Sequence, residues 1–121
     1  MYYKSTRNSS VKVTSAQAIA QGISADGGLF VPSEIPPVSF EEINRLGVMS
    51  YCERAAYIFS KYLTDFTEAE IRYCTDNAYN DTRFSTDSIA ELAHLFSGTY
   101  MLELWHGPTC AFKDMALQVL P

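Results

Sequence analysis

The sequence predicts an α+β fold that is mainly helical and has a small β-sheet. Four segments with helical spacing begin with a Ser or Thr that is followed three residues later by Glu or Gln, the pattern of a helix capping box. Short apolar stretches bounded by Gly, Pro or polar residues lie towards both ends of the chain and are typical of strands. With 121 residues, 47% of them apolar, the chain is long enough for one domain with a hydrophobic core.

The N-terminal segment is predicted to form a strand followed by a helix. Tyr2–Ser5 is a short aromatic stretch followed by polar residues, which favours a strand. Thr14 and Gln17 form a capping box for a helix that spans about Ser15–Gln21, and Gly22 follows where a left-handed residue is preferred.

A glycine-containing turn and a second strand are expected next. Asp26-Gly27-Gly28 allows positive φ values, and Leu29-Phe30-Val31 is a compact apolar stretch closed by Pro32. This strand is predicted to pair with the strand at Tyr2–Ser5.

Three further capping boxes predict three successive helices, starting at Ser39, Ser50 and Thr67, the first of which ends at Gly47. Each of the last two helices has its apolar side chains on one stripe. In the helix after Ser50 these are Cys52, Ala55, Ala56, Phe59 and Leu63, and in the helix after Thr67 they are Ile71, Cys74 and Ala78. The charged residues of the last helix are left to face water.

Two strands are predicted after these helices. Ser88 and Glu91 also match a capping box, but the apolar stretch that follows, Leu92–Phe96, is short and is predicted to be extended. Tyr100–Trp105 alternates between two faces, which is typical of a strand, and Gly107-Pro108 ends it.

The end of the chain is predicted to start a helix. Thr109 is expected to cap a helix that begins near Cys110 or Ala111, which places Lys113 in about its first turn.

The composition argues against several classes of function. The net charge is −5, and seven acidic residues lie between positions 65 and 91. The surface formed by this acidic stretch would therefore repel nucleic acid. No apolar run approaches the roughly 18 residues of a membrane span. The three cysteines are widely spaced and form no Cys-x-x-Cys pair, which argues against a disulfide framework or a zinc site. Reduced cysteines and the absence of a signal-peptide pattern lead us to expect a cytoplasmic protein with no metal.

Lys113 is the strongest candidate for chemistry. It lies where a strand, a turn and a helix start are expected to meet, and such a junction suits carbonyl chemistry or a phosphorylated cofactor. A helix start disfavours the positive charge of a lysine, and the neutral amine is the form that attacks an aldehyde. From the spacing alone, a lysine that extends into water along an apolar face is the commoner arrangement.

Four other features have a functional and a structural interpretation, and the structural one is favoured for each. Asp114 is expected to be a carboxylate that bonds free N–H groups, and His106 a hydrogen-bonded turn residue. Asp26-Gly27-Gly28 is expected to be a turn rather than a phosphate cradle, and Cys110 an inert, packed thiol rather than a reactive one.

Three segments of the chain, in this order, resemble threonine synthase, a pyridoxal-phosphate enzyme family of the tryptophan-synthase-β structural class. They are Tyr3-Lys4-Ser5-Thr6-Arg7, Asp26-Gly27-Gly28-Leu29-Phe30-Val31-Pro32, and Leu102-Glu103-Leu104-Trp105-His106-Gly107-Pro108-Thr109 with Ala111-Phe112-Lys113-Asp114. The third segment is long and specific. The resemblance covers essentially the whole chain and identifies it as the N-terminal portion of a longer enzyme.

The resemblance implies that Lys113 is both the catalytic residue and the residue that binds the cofactor, pyridoxal 5'-phosphate. The family converts O-phosphohomoserine and water into threonine and phosphate, and the freed amine of Lys113 would move protons in that reaction. Trp105 and Cys110 depart from the family's common phenylalanine and leucine, which affects the packing of the turn rather than the lysine.

The resemblance also implies a division of the chain. Residues 1–99 would form the N-terminal domain, and residues 100–121 would be the first strand and helix of a truncated α/β cofactor-binding domain. The family's phosphate-binding loop and most of its substrate pocket lie downstream of these residues.

This division leads to expectations about activity and partners. We expect the 121-residue chain to be inactive alone, not to retain the cofactor, and to have the remainder of its own chain as partner. We also expect it either to self-associate through its apolar end or to leave that end disordered. The alternative is a non-enzymatic helical interaction module that docks through its C-terminal strand and helix.

Overall fold

The computed structural model describes residues 1–120 as five helices and two two-stranded antiparallel sheets, which confirms the predicted α+β class. None of these helices combines the length and the hydropathy needed to cross a bilayer. In chain order the elements are β1 (Tyr3–Ser5), α1 (Ser15–Gln21), β2 (Phe30–Pro32), α2 (Phe40–Leu46), α3 (Tyr51–Tyr62), α4 (Glu68–Ala78), β3 (Glu91–Phe96), β4 (Thr99–Glu103) and α5 (Asp114–Leu117).

The first sheet joins the predicted N-terminal strands. β1 pairs with β2 in an antiparallel register that places Ser5 opposite Phe30. The Ser5 hydroxyl donates to the Asp26 carboxylate at 2.8 Å, and the Gly28 N–H donates to the same oxygen at 2.9 Å. A Cβ at Gly28 would lie 2.1 Å from the Ser5 hydroxyl, so glycine is required for this close approach. The segment from Asp26 to Gly28 is therefore a tight turn, as predicted.

The four helices α1 to α4 begin as the capping boxes predict. In each helix the hydroxyl of the residue before the first turn accepts an N–H, and the Glu or Gln three residues later accepts the N–H of the capping residue. These paired bonds satisfy two donors that a helix start otherwise leaves without partners. Helix α1 has the bounds predicted for it, and α2 ends immediately before Gly47.

The core forms where α3 and the end of α4 pack together. Ala56 of α3 and Ile71 of α4 are buried, as expected from their positions on the apolar stripes. A core cluster then continues beyond α4 and is contacted by partly buried residues of α3 and the C-terminal segment; its buried members are Ala78, Tyr79, Phe84 and Ile89. The charged side chains of α4 face solvent, which confirms that this helix is amphipathic.

The second sheet is a hairpin of β3 and β4. The extended structure predicted for Leu92–Phe96 is confirmed, and Glu91 lies opposite Glu103 in the antiparallel register. Strand β4 ends at Glu103, two residues before the predicted end at Trp105, because the chain leaves the hairpin there and the His106 carbonyl accepts the Ser85 N–H at 2.9 Å. The hairpin crosses the expected domain boundary between residues 99 and 100, whose position stays a prediction.

The predicted first residue of the last helix was wrong. Helix α5 begins at Asp114 instead of near Cys110 or Ala111. The backbone of Cys110 has a φ of 55°, a left-handed conformation that a right-handed helix does not accommodate. Thr109 does not cap the helix, since its N–H and its hydroxyl both donate to the Asp114 carboxylate. Lys113 consequently lies at the N-cap position of α5 rather than within its first turn.

Replacing Ser50 by alanine is expected to lower the free energy of unfolding by about 1 kcal/mol, the usual cost of losing an N-cap. The Ser50 hydroxyl accepts the Glu53 N–H at 3.3 Å at the start of α3. Ser88→Ala is the matched control, because Ser88 has the same spacing to Glu91 but precedes a strand. Urea denaturation followed by far-ultraviolet circular dichroism measures both variants. Equal losses in the two variants would show that the capping bond contributes nothing.

Candidate active site

Lys113 lies at the edge of an apolar recess between the hairpin, α3 and α5. The recess has a volume of about 690 Å³, and Arg54 and Lys113 are the charged residues in its lining. Apolar side chains from the end of the hairpin and from the C-terminal segment form most of the remaining wall, among them Leu102, Leu104, Phe112 and Met115. An amine therefore stands beside a space that an aromatic ring can enter.

The side chain of Lys113 is exposed, which is the commoner arrangement expected from its spacing alone. Phe112 is also exposed, and Met115 is partly buried. Of these two neighbours of the lysine, only Met115 is withdrawn from water. The catalytic role of Lys113 stays a prediction.

Asp114, the residue after Lys113, holds the turn that precedes the lysine. Asp114 is 0% exposed, and its carboxylate accepts the Thr109 N–H and the Thr109 hydroxyl, both at 2.9 Å. A Cβ at Gly107 would lie 2.5 Å from the Cβ of Asp114, so the chain closes tightly on this side chain. The expectation that Asp114 bonds free N–H groups is confirmed, although the bonded group belongs to the preceding turn.

His106 is a hydrogen-bonded turn residue, as predicted. Its Nε2 lies 2.6 Å from Oε2 of Glu103, and its Nδ1 lies 3.2 Å from the Ser85 hydroxyl. Sequence reasoning did not identify either partner. Glu103 precedes His106 by three residues, so a local signal existed, whereas Ser85 is 21 residues away and offered none.

Cys110 differs from its expectation, because its thiol is exposed instead of packed. The chain adopts a left-handed conformation at this residue, and the helix that would have packed it begins only at Asp114. The other two cysteines, Cys52 and Cys74, are partly buried, and all three are free thiols.

Comparison with known proteins gives consistent results for sequence and structure. Residues 2–79 match the protein family described as Threonine synthase N terminus. The chain is 38% identical over 120 residues to threonine synthase of Schizosaccharomyces pombe, covering 98% of this chain and 23% of that protein. It is 37% identical over 109 residues to human Threonine synthase-like 1, covering 88% of this chain and 14% of that protein.

A solved structure extends this similarity to three dimensions. The chain matches threonine synthase from Brucella melitensis, solved with pyridoxal phosphate bound, with a TM-score of 0.91 and 34% identity, covering 99% of this chain and 26% of that one. The chain thus spans between 14% and 26% of the length of these relatives.

Replacing Asp114 by alanine is expected to open the turn beside Lys113, because the Thr109 N–H loses its acceptor. Thr109 is exposed, so its N–H can turn to water, and the loss is that of a hydrogen bond to a charged group, about 1.5–3 kcal/mol. Amide hydrogen exchange at Thr109 is expected to become faster, and Asp87→Ala, at an exposed position, is the control. If the Thr109 amide exchanges at the same rate in both variants, Asp114 does not hold the turn.

Proposed function

The chain belongs to the threonine synthase family, and we propose that it is the N-terminal part of an enzyme that converts O-phospho-L-homoserine and water into L-threonine and phosphate. The observation that carries the proposal is the position of Lys113. A single lysine lies beside an apolar recess in a chain that matches a pyridoxal-phosphate-bound threonine synthase along 99% of its length.

We assign to Lys113 the covalent attachment of pyridoxal phosphate. The recess fits an aromatic ring by its size and its apolar wall, and the exposed amine stands at its edge. When bound, the cofactor supplies an electron sink that makes the carbon-bound protons of the substrate easier to remove. The contribution of Lys113 is to hold the cofactor and, once its amine is free, to carry protons. Asp114 and Thr109 support this role by holding the backbone on either side of the lysine's turn.

The proposal includes the expected division into residues 1–99, the N-terminal domain, and residues 100–121, the start of the cofactor-binding domain. Catalysis of this kind requires an oriented cofactor in a site that excludes water. Because Lys113 and Phe112 are exposed here, we propose that residues 1–121 alone are inactive and that the remainder of the chain encloses the recess. The three free cysteines support a cytoplasmic location.

The alternative, a non-enzymatic interaction module, draws on the exposed apolar surface of the hairpin and of the C-terminal segment that includes α5. Exposed apolar side chains there include Leu92, Phe96, Leu102, Phe112 and Leu117. The enzyme reading accounts for the same surface, since it assigns that surface to contact with the rest of the protein. It also accounts for Lys113, for which the module reading offers no role.

The proposed role of Lys113 is tested in a chimera that joins residues 1–121 to the remainder of the Brucella melitensis threonine synthase. The chimera is expected to form threonine from O-phosphohomoserine, and Lys113→Ala to lower the rate by about 10⁴-fold or more, the scale observed when a covalent catalytic residue is removed. Lys12→Ala is the matched control and is expected to retain full activity.

Two outcomes would contradict this assignment. A Lys113→Ala chimera as active as the control would show that the lysine has no catalytic role. Threonine formation by the isolated 121-residue chain would contradict the proposed dependence on the remainder of the protein.

The isolated chain is expected to self-associate through its exposed C-terminal apolar surface. Phe112→Ser is expected to shift the chain towards monomer in light scattering, because Phe112 is 68% exposed beside the recess. Phe40→Ser is the control, since Phe40 is 77% exposed on α2 and does not line the recess. A strictly monomeric chain, or an equal effect of the two substitutions, would refute self-association through this surface.

A further inference from the structure

We propose that Glu91, Glu103 and His106 form a binding site for one zinc ion. Each residue offers one ligand atom, and the three ligand atoms lie within 4.8 Å of one another. The inference rests on these side chains and does not depend on the proposed enzyme activity. The cysteine spacing that argued against zinc has no bearing on a site built from imidazole and carboxylates.

The hairpin brings the two carboxylates together without a lysine or arginine paired to either among the described residues. Glu91 of β3 and Glu103 of β4 are direct partners in the antiparallel register, so their side chains project from the same face. Like charges directly opposite each other are destabilising in a sheet. Within residues 1–120, no lysine or arginine forms an ion pair with either carboxylate. A divalent cation between them would remove the repulsion.

His106 supplies a nitrogen whose orientation is already set. Its Nε2 lies 2.6 Å from Oε2 of Glu103, while its Nδ1 lies 3.2 Å from the Ser85 hydroxyl, outside the cluster. The Ser85 N–H also donates to the His106 carbonyl at 2.9 Å, which fixes the backbone beneath the ring. Histidines that bind metals through one nitrogen usually donate the other N–H to such a partner. Metal at Nε2 leaves Nδ1–H to donate to Ser85.

One imidazole and two carboxylates, with a water in the fourth position, match the ligand sets that zinc accepts in proteins. Zinc–ligand distances of about 2.0–2.2 Å place tetrahedral ligand atoms roughly 3.3–3.6 Å apart. Nε2 of His106 and Oε2 of Glu103, 2.6 Å apart here, must therefore separate, and Glu91 must adjust its position to complete the site. The exposed Glu91 side chain has the freedom to make that movement. The ion replaces the bond between His106 and Glu103. Bound zinc would tie both strands of the hairpin to the segment that leads to Lys113.

Metal titration of the 121-residue chain tests the proposal. Isothermal titration with Zn²⁺ is expected to give one site per chain. Co²⁺, used as a coloured and quenching probe, is expected to quench Trp105, the only tryptophan, whose ring centroid lies 5.6 Å from that of His106.

Variants at the site and a matched control separate it from incidental binding. His106→Gln is expected to abolish zinc binding. Glu91→Gln is expected to weaken zinc binding by about tenfold or more, and because Glu91 is exposed the substitution does not disturb the core. Ser85→Ala is expected to weaken it by about tenfold through the lost orientation of the ring. His94→Gln, which removes the other histidine of the chain, is expected to leave affinity unchanged.

The proposal is overturned if Glu91→Gln binds Zn²⁺ as tightly as His94→Gln does. It is also overturned if the Co²⁺ complex has the intense charge-transfer absorption of a thiolate ligand, which would place the metal on a cysteine.

Discussion

Tyr79 connects the helical part of the chain to its C-terminal segment, and the arrangement of the recess depends on that connection. Its ring packs edge-on against Tyr51 at the start of α3, with centroids 4.9 Å apart, and lies 6.0 Å from the ring of Phe84. Its hydroxyl donates to the carbonyl of Met115 in α5 at 2.6 Å. Burial raises the pKa of Tyr79 to about 12, so the hydroxyl keeps its proton and remains a donor throughout the physiological pH range. Helix α5 is thereby held against the core built by α3 and α4.

A second constraint acts on the other side of the lysine. Asp114 is buried and bonds Thr109 twice, while the missing side chain at Gly107 lets the backbone approach it closely. Together with the Tyr79 bond, this anchors the backbone on both sides of Lys113, whose side chain is exposed. A covalent link between a lysine and a cofactor benefits from such prior orientation of the backbone.

Local signals made most of the fold predictable. A capping box is completed within four residues, so α1 to α4 could be located from the sequence, although the same pattern at Ser88 precedes a strand. The last turn could not be predicted, because the Thr109 hydroxyl, a potential helix cap, donates instead to the buried Asp114 carboxylate, and α5 begins at Asp114 without a side-chain cap. A positive φ at Cys110, a residue other than glycine, has no sequence signal. The recess and the Ser85–His106 contact depend on distant segments, and the role of Lys113 came from the family resemblance.

Chemical trapping shows directly whether Lys113 carries the cofactor. The chimera with the Brucella melitensis remainder is loaded with pyridoxal phosphate, reduced with borohydride, digested, and mapped by mass spectrometry. We expect a single modified peptide that contains Lys113. A label on Lys4, Lys12, Lys61 or a lysine of the joined remainder, with Lys113 unmodified, would contradict it.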